Sequence, residues 1–229
     1  MLDHRRETSE LMDDPALPPA IYQAVLSDLA SVNSITLAHR PTLNFLYQAL
    51  GKRKEFTLLD VGFGQGDMLR AIAQWAKNRG ITAHLTGIDI NPGSAPTARA
   101  ATDAAADIEY RTGDYRETGL GFDFIVSSLV AHHMSADELR AFLRVMESEA
   151  RLGWMVNDLH RHRLAHFGFP ILARVMRWHE IVRADGTLSI ARSFRPADWR
   201  AILADAGIAP DAATIARRFP FRLCVERIR

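Results

Sequence analysis

The chain is poor in the features that would mark a specialised environment. A single cysteine, Cys224, stands among 229 residues. No intrachain disulfide and no cysteine-cluster zinc site can form, and the cytoplasm is the expected compartment. An excess of one charge sign is also missing: 28 Lys and Arg against 27 Asp and Glu leave a formal net charge of +1. Such a chain has no global field to draw it to nucleic acid or to an anionic membrane. No apolar run approaches the ~20 residues that span a bilayer; the greasiest stretch, Phe167 to Met176, is broken by Pro170 and Arg174. Met1 to Asp14 is charged and lacks the apolar centre of a secretory signal. What is present, 48% apolar and 24% charged residues, suits one α/β domain with a small cap.

Residues up to Pro19 are polar and proline-bearing, and are expected to be poorly ordered; residues 20–229 form the domain. From Ala20 to Leu50 apolar residues recur at helical spacing (Ile21, Val25, Leu29, then Leu43, Leu46, Leu50), with breaks near Asn33-Ser34 and Pro41. The period then changes. Strands are expected at Thr57–Gly62, Ala83–Ile90, Ile108–Arg111, Phe122–Leu129 and Leu152–Leu159. Helices are expected between them at Met68–Arg79, Ala95–Ala106 and Ala136–Ala150, the last opened by a Ser135/Glu138 capping box. Beyond them come a helix over Leu164–Trp178, a loop or short hairpin around Asp185-Gly186, a helix over Pro196–Ala206 and two strands flanking Phe219-Pro220. Alternating helices and continuous apolar strands imply a parallel sheet covered on both faces. Ligands of such sheets sit at the carboxyl ends of the strands.

The residues at those ends carry the chemistry. Asp60-Val61-Gly62-Phe63-Gly64-Gln65-Gly66-Asp67 follows the first strand. Glycines at 62, 64 and 66 let bare backbone turn and approach a ligand. A dinucleotide fingerprint would place glycine where Asp67 stands, and an acid there would repel a pyrophosphate. Asp60 favours a cation. S-adenosylmethionine, which has an ammonium, a sulfonium and no phosphate, fits better. Asp89, with Ile90 beside it, ends the second strand, where an acid accepts ribose hydroxyls. Asp114 and Tyr115 follow the third strand, placed for an adenine amino group and ring. The fourth runs through Ser128 to His132-His133, whose imidazoles are candidates for a general base. The fifth ends at Asn157-Asp158-Leu159-His160-Arg161-His162-Arg163. There Asp158, His160 and His162 are candidates for the acceptor side, and Arg161 and Arg163 read as charges on a solvated turn. A metal site is not expected, because adjacent histidines rarely point the same way.

On Leu59–Gly66, Gly87-Ile88-Asp89, Gly113-Asp114 and Ser128–His133 the chain resembles class I S-adenosylmethionine-dependent methyltransferases. More narrowly it resembles the small-molecule group that includes ubiquinone and menaquinone methyltransferases. It is also similar to bacterial methyltransferases found beside type III polyketide synthases. The features shared with these are Val156–Arg161, the tail Arg218–Leu223, and an upstream element Asp28–Asn33 with His39-Arg40. The resemblance runs over roughly residues 27 to 225. It implies a Rossmann-like, seven-stranded, mostly parallel sheet with the last strand antiparallel, helices on both faces and a helical lid from residues 20–50 and 163–193. It implies that Asp60, Gly62, Gly64 and Gly66 hold the methionine part, Asp89 the ribose, and Asp114 with Tyr115 the adenine. Phe63 departs from the small residue or cysteine common there, and is expected to reshape the pocket.

The expected reaction is transfer of a methyl group to a small phenolic or polyketide-derived acceptor, giving an O-methyl product. His133 or His132 would be the base, with His160 in reserve. C-methylation of a quinone precursor stands second. A lid holding Phe167, Phe169 and Trp178 suits a flat apolar substrate. A nucleic-acid methyltransferase would show an Asn/Asp-Pro-Pro-aromatic motif where this chain has Ser127-Ser128-Leu129. A non-catalytic binder of S-adenosylmethionine and a dehydrogenase are the other rivals, and a homodimer is left open.

Overall fold

The computed structural model describes residues 2–117 and 121–229. Its sheet is built from β1 (Glu55–Val61), β2 (Thr82–Asp89), β3 (Ile108–Thr112), β4 (Phe124–Ser128), β5 (Gly153–Leu159), β6 (Thr214–Arg218) and β7 (Arg222–Ile228). The strand order is β3-β2-β1-β4-β5-β7-β6. β1 to β5 pair in parallel, and β7 runs antiparallel between β5 and β6.

The central strands β1, β4 and β5 bury both faces, so they are largely apolar and their successive residues divide between two cores, while the edge strands β3 and β6 are polar and more open. Leu58, Phe124, Val126, Met155 and Cys224 face one core with Phe45, Phe56 and Trp75. Leu59, Ile125, Trp154, Val156 and Val225 face the other with Phe142 and Trp199. Helices α2 (His39–Leu50), α3 (Asp67–Lys77) and α4 (Ser94–Ala100) cover the first face; α5 (Ala136–Glu149) and α8 (Pro196–Asp205) cover the second. Phe124 anchors the first core through edge-on contacts with Phe45 and Phe56, at 5.9 and 5.7 Å between ring centres. The α5 capping box forms as expected, Ser135 N–H on Glu138 at 2.8 Å and Glu138 N–H on Ser135 Oγ at 3.3 Å.

A third, smaller core lies above the carboxyl ends of the strands. It joins Val25 of α1 (Pro19–Ile35), Ala173 of α6 (Arg163–Val175), Trp178, and Ile181 and Val182 of α7 (Glu180–Arg192). The expected loop or hairpin around Asp185-Gly186 is thus corrected to a 13-residue helix. Asp-Gly signals a turn only when the local backbone decides. Here Gly186 sits where a Cβ would stand 2.2 Å from the Phe169 ring, so its bare backbone lets α7 lie against α6. Asp185 accepts the backbone N–H groups of Leu11 and Met12, both at 2.9 Å.

Of the residues expected to be poorly ordered, Met1 lies outside the described set. From Leu2 onward the segment instead runs extended across the molecule, with a 3-10 turn at Leu11–Asp13. Leu2 and Glu10 are buried. Arg5 donates to the carbonyls of Arg192, His132 and Met134, and the Arg195 side chain donates to the Leu2 carbonyl. These side chains satisfy backbone groups rather than water. Among the described residues no helix is long and apolar enough to cross a membrane.

Candidate active site

β1 has β2 on one side and β4 on the other, so the chain direction across the sheet reverses at its edge. That is where open α/β sheets bind ligands. A cavity of about 920 Å³ opens there. Asp60, Gly62, Phe63, Gly64, Asp89, Ile90, Asp114, Tyr115, Ser128, His132 and His133 all line it. Its far wall comes from α1, α6, α7 and the Leu11–Asp13 turn.

The bend after β1 depends on bare backbone. Gly62 and Gly66 both have φ +77°; a Cβ would stand 2.3 Å from Val130 Cγ2 at the first and 2.5 Å from the Tyr110 hydroxyl at the second. Gly66 does not line the cavity but caps α3. Asp60 is 1% exposed and its Oδ1 has no hydrogen-bond partner. Burial, reinforced by Asp67 and Asp89, pushes its carboxyl up to about 8. Asp89 is fixed by its own turn: Gly64 N–H and Asn91 N–H each donate to one of its oxygens at 2.9 Å. Burial raises its carboxyl against those two bonds. Ile90 beside it is exposed.

Asp67, at the start of α3, is held by the His39 ring at 2.6 Å and by Asn33 at 3.1 Å. Burial would raise it, but His39 and Asn33 together draw it below the usual carboxylate range. Asp114 takes a two-pronged contact from Arg116, which holds its carboxyl low, and Tyr115 packs edge-on to Phe142. Phe63 is turned under the bend against Tyr110 and the bare face of Gly87, so its bulk goes mainly into the core.

At the opposite end stand the histidines. His132 is buried. Its Nδ1 lies 2.7 Å from Asp158, which also accepts the His132 backbone N–H. Asp158 is fully buried; burial would raise its carboxyl, but the His132 ring brings it below the ordinary value. His133 Nδ1 lies 3.1 Å from Asp13. Both Nε2 atoms face Glu10, at 3.7 and 3.8 Å. Burial pushes Glu10 up to about 7 against His133, Ser189 and Arg192.

His160 is not brought to this cavity. It lies with His162, Arg195 and Arg217 in a separate shallow recess, where burial and then Arg217 push its imidazole down to about 4. His162 caps α6 through the Leu164 N–H and stacks on Phe221. Asp158 supports His132 instead of lining the cavity. Arg161 is not a solvated charge: it is buried, donating to the Ser193 carbonyl and to Asp198. Of the three lid aromatics only Phe169 lines the cavity; Trp178 packs in the small core and Phe167 is exposed.

Sequence reading missed Glu10, Asp13 and Arg222. Arg222 is 2% exposed, lines the cavity, and has an unpartnered Nη1. An arginine opening an apolar strand was the available signal. Together, Arg222 Nη1 and Asp60 Oδ1 are two orphaned charges of opposite sign in one cavity.

Residues 58–151 match the family model described as a methyltransferase domain. A search of curated proteins by sequence finds no match. Among solved structures, the magnesium protoporphyrin IX methyltransferase of Synechocystis, with bound S-adenosylmethionine, aligns at 19% identity over 85% of this chain and 81% of that one, with a TM-score of 0.54. Human N-acetylserotonin methyltransferase aligns at 14% over 93% of this chain and 56% of that one, TM-score 0.64. A methyltransferase from Aquifex aeolicus aligns at 16% over 93% and 98%, TM-score 0.63. Residues 58–151 thus match a methyltransferase-domain model, and the chain as a whole has the fold of these solved methyltransferases.

Proposed function

We propose that the chain methylates an oxygen of a small, flat acceptor, phenolic or polyketide-derived, using S-adenosylmethionine. One observation carries the reading: the buried, unpartnered Asp60 oxygen beside the bare-backbone bend, a carboxyl that a bound cation would draw into its charged form. Bound there, the nucleoside supplies a methyl group on a positively charged sulfur. Asp60 takes its ammonium, and Arg222 answers its carboxylate. Asp89 holds the ribose, with the Gly64 N–H fixing one carboxylate oxygen. Asp114 and Tyr115 border the adenine.

Transfer from a sulfonium is an in-line displacement, so alignment and exclusion of water are the protein's main work. α1, α6 and α7 act as the lid. The cavity volume sits at the upper end of small-molecule sites, with room for the nucleoside and a compact acceptor. The acceptor oxygen is placed at the His132–His133 end, where its proton is removed. His133, partly exposed to the cavity, is the nearer group, and Asp158 orients His132 behind it.

A panel of phenols and quinols with labelled S-adenosylmethionine tests this. Transfer to oxygen is expected; transfer only to carbon would favour C-methylation of a quinone precursor, and binding without turnover a non-catalytic role. In His133→Ala, turnover should fall at least 100-fold while S-adenosylhomocysteine affinity changes less than threefold. Equal loss of both would make the residue a support of the pocket.

A further inference from the structure

The arrangement of Glu10, His132 and His133 is more specific than a pair of bases requires. Each histidine has its Nδ1 against a carboxylate, Asp158 for His132 and Asp13 for His133. That contact places the ring hydrogen on Nδ1 and leaves the Nε2 lone pair outward. Both Nε2 atoms are then directed at the same buried carboxylate, 3.7 and 3.8 Å away, too far for hydrogen bonds. Two lone pairs and an anion converge, and one ligand atom from each residue falls within 4.8 Å of the others. The ring centres lie 4.3 Å apart with the planes tilted by 39°, so placing a proton on both would set two imidazolium ions side by side.

The surroundings carry the same imbalance. Glu10, Asp13 and Asp185 crowd together, and Arg192 is the guanidinium beside Glu10 and Asp13. Arg192 is turned mostly to the carbonyls of His132, His133 and Thr8. A divalent ion satisfies both the geometry and the charge. At 2.0–2.2 Å from each donor it asks for donor separations of roughly 3.0–3.6 Å, within small side-chain shifts of those present. Carboxylates behind the imidazoles are what hold metal-ligating histidines in tautomer and orientation.

We infer that Glu10, His132 and His133 form a site for one divalent transition-metal ion of nitrogen and oxygen preference, at the acceptor end of the cavity. Glu10 arrives from the amino-terminal segment, so the site is assembled only when that segment lies across α7. Two histidines and one carboxylate leave coordination positions open toward the cavity, as reactive sites do. The consequence for chemistry rests on the methyltransferase reading: an acceptor hydroxyl taken up as a further ligand would lose its proton to water more readily, so that with the ion bound the base role given above to His133 passes to solvent and both histidines serve as ligands.

The test uses the full chain, stripped with chelator and dialysed against Zn2+ or Co2+, without nucleoside or acceptor. One ion per chain is expected, with a Co2+ absorption spectrum of nitrogen and oxygen ligation that Zn2+ abolishes. Glu10→Gln and His133→Gln should each weaken binding at least 30-fold, and the exposed-side Asp13→Asn about tenfold. Circular dichroism checks that the variants fold, and the wild-type Co2+ spectrum stands even if one does not. No stoichiometric binding, or binding untouched by Glu10→Gln in a folded protein, would overturn the site. S-adenosylhomocysteine binding is measured separately, so a chain that binds the nucleoside but no metal loses this inference alone.

Discussion

At the scale of single residues the site is a set of charges kept from their partners. Asp60 shows the cost. Its folded value near 8 stands above the ordinary 3.8, so the fold favours its protonated form. The stability this contributes is complete below about pH 4, shrinks as pH rises and is gone above about pH 8. Asp60→Asn should remove that slope and raise the melting temperature of the ligand-free protein by about 3–6 °C at pH 8, on the order of 1–2 kcal/mol. The same change should weaken S-adenosylhomocysteine binding at least tenfold. In the wild type, binding near pH 7 should release a proton, read as a dependence of the calorimetric heat on the buffer. The place of Asp60 at the cavity was legible from its position before three glycines. That one of its oxygens would lack a partner was not, because burial is decided by strands distant in sequence. His132 and His133 were legible as chemistry but not as a convergent pair. The rule that neighbours diverge fails where Val130 to His133 coil into a 3-10 turn, and where Asp158 and Asp13 each claim one ring.

At the scale of elements, the strands and their covering helices were readable because apolar runs and caps are local signals. The end of β2, the Ser135 cap and the two tail strands came from such signals. α7 was not readable. Its apolar residues show no one-sided pattern, since one flank meets α6 and the small core and another meets the amino-terminal segment. Asp185-Gly186 supplied a false turn signal besides. The cause is testable: Gly186→Ala forces a methyl into the Phe169 ring and should cost about 1–3 kcal/mol, seen as a lower denaturation midpoint. In a Phe169→Ala background the same substitution should cost less than 0.5 kcal/mol, roughly the level of additivity error. Since Gly186 and Phe169 face the acceptor side, KM for the acceptor should rise more than nucleoside affinity falls.

On the scale of the whole molecule, the sheet provides the nucleoside cradle, and the two ends of the chain complete the rest. Glu10, Met12 and Asp13 close one wall and Pro220, Phe221 and Arg222 another. Removing residues 1–14 should leave S-adenosylhomocysteine affinity within about threefold while turnover drops at least 100-fold, measured on protein whose circular dichroism is unchanged. It should also cost stability, because Asp185 loses both of its backbone donors, and Arg192 loses the Thr8 carbonyl while keeping those of His132 and His133. Arg5 meets Arg192 across 187 positions of sequence. During synthesis Arg5 therefore emerges well before its seat beside Arg192 and must wait for the residues between them, and contacts this remote form late. The nucleoside-holding half can thus be in place while the acceptor-handling half is still incomplete. A partly matured protein would then carry a loaded methyl donor with no means of using it.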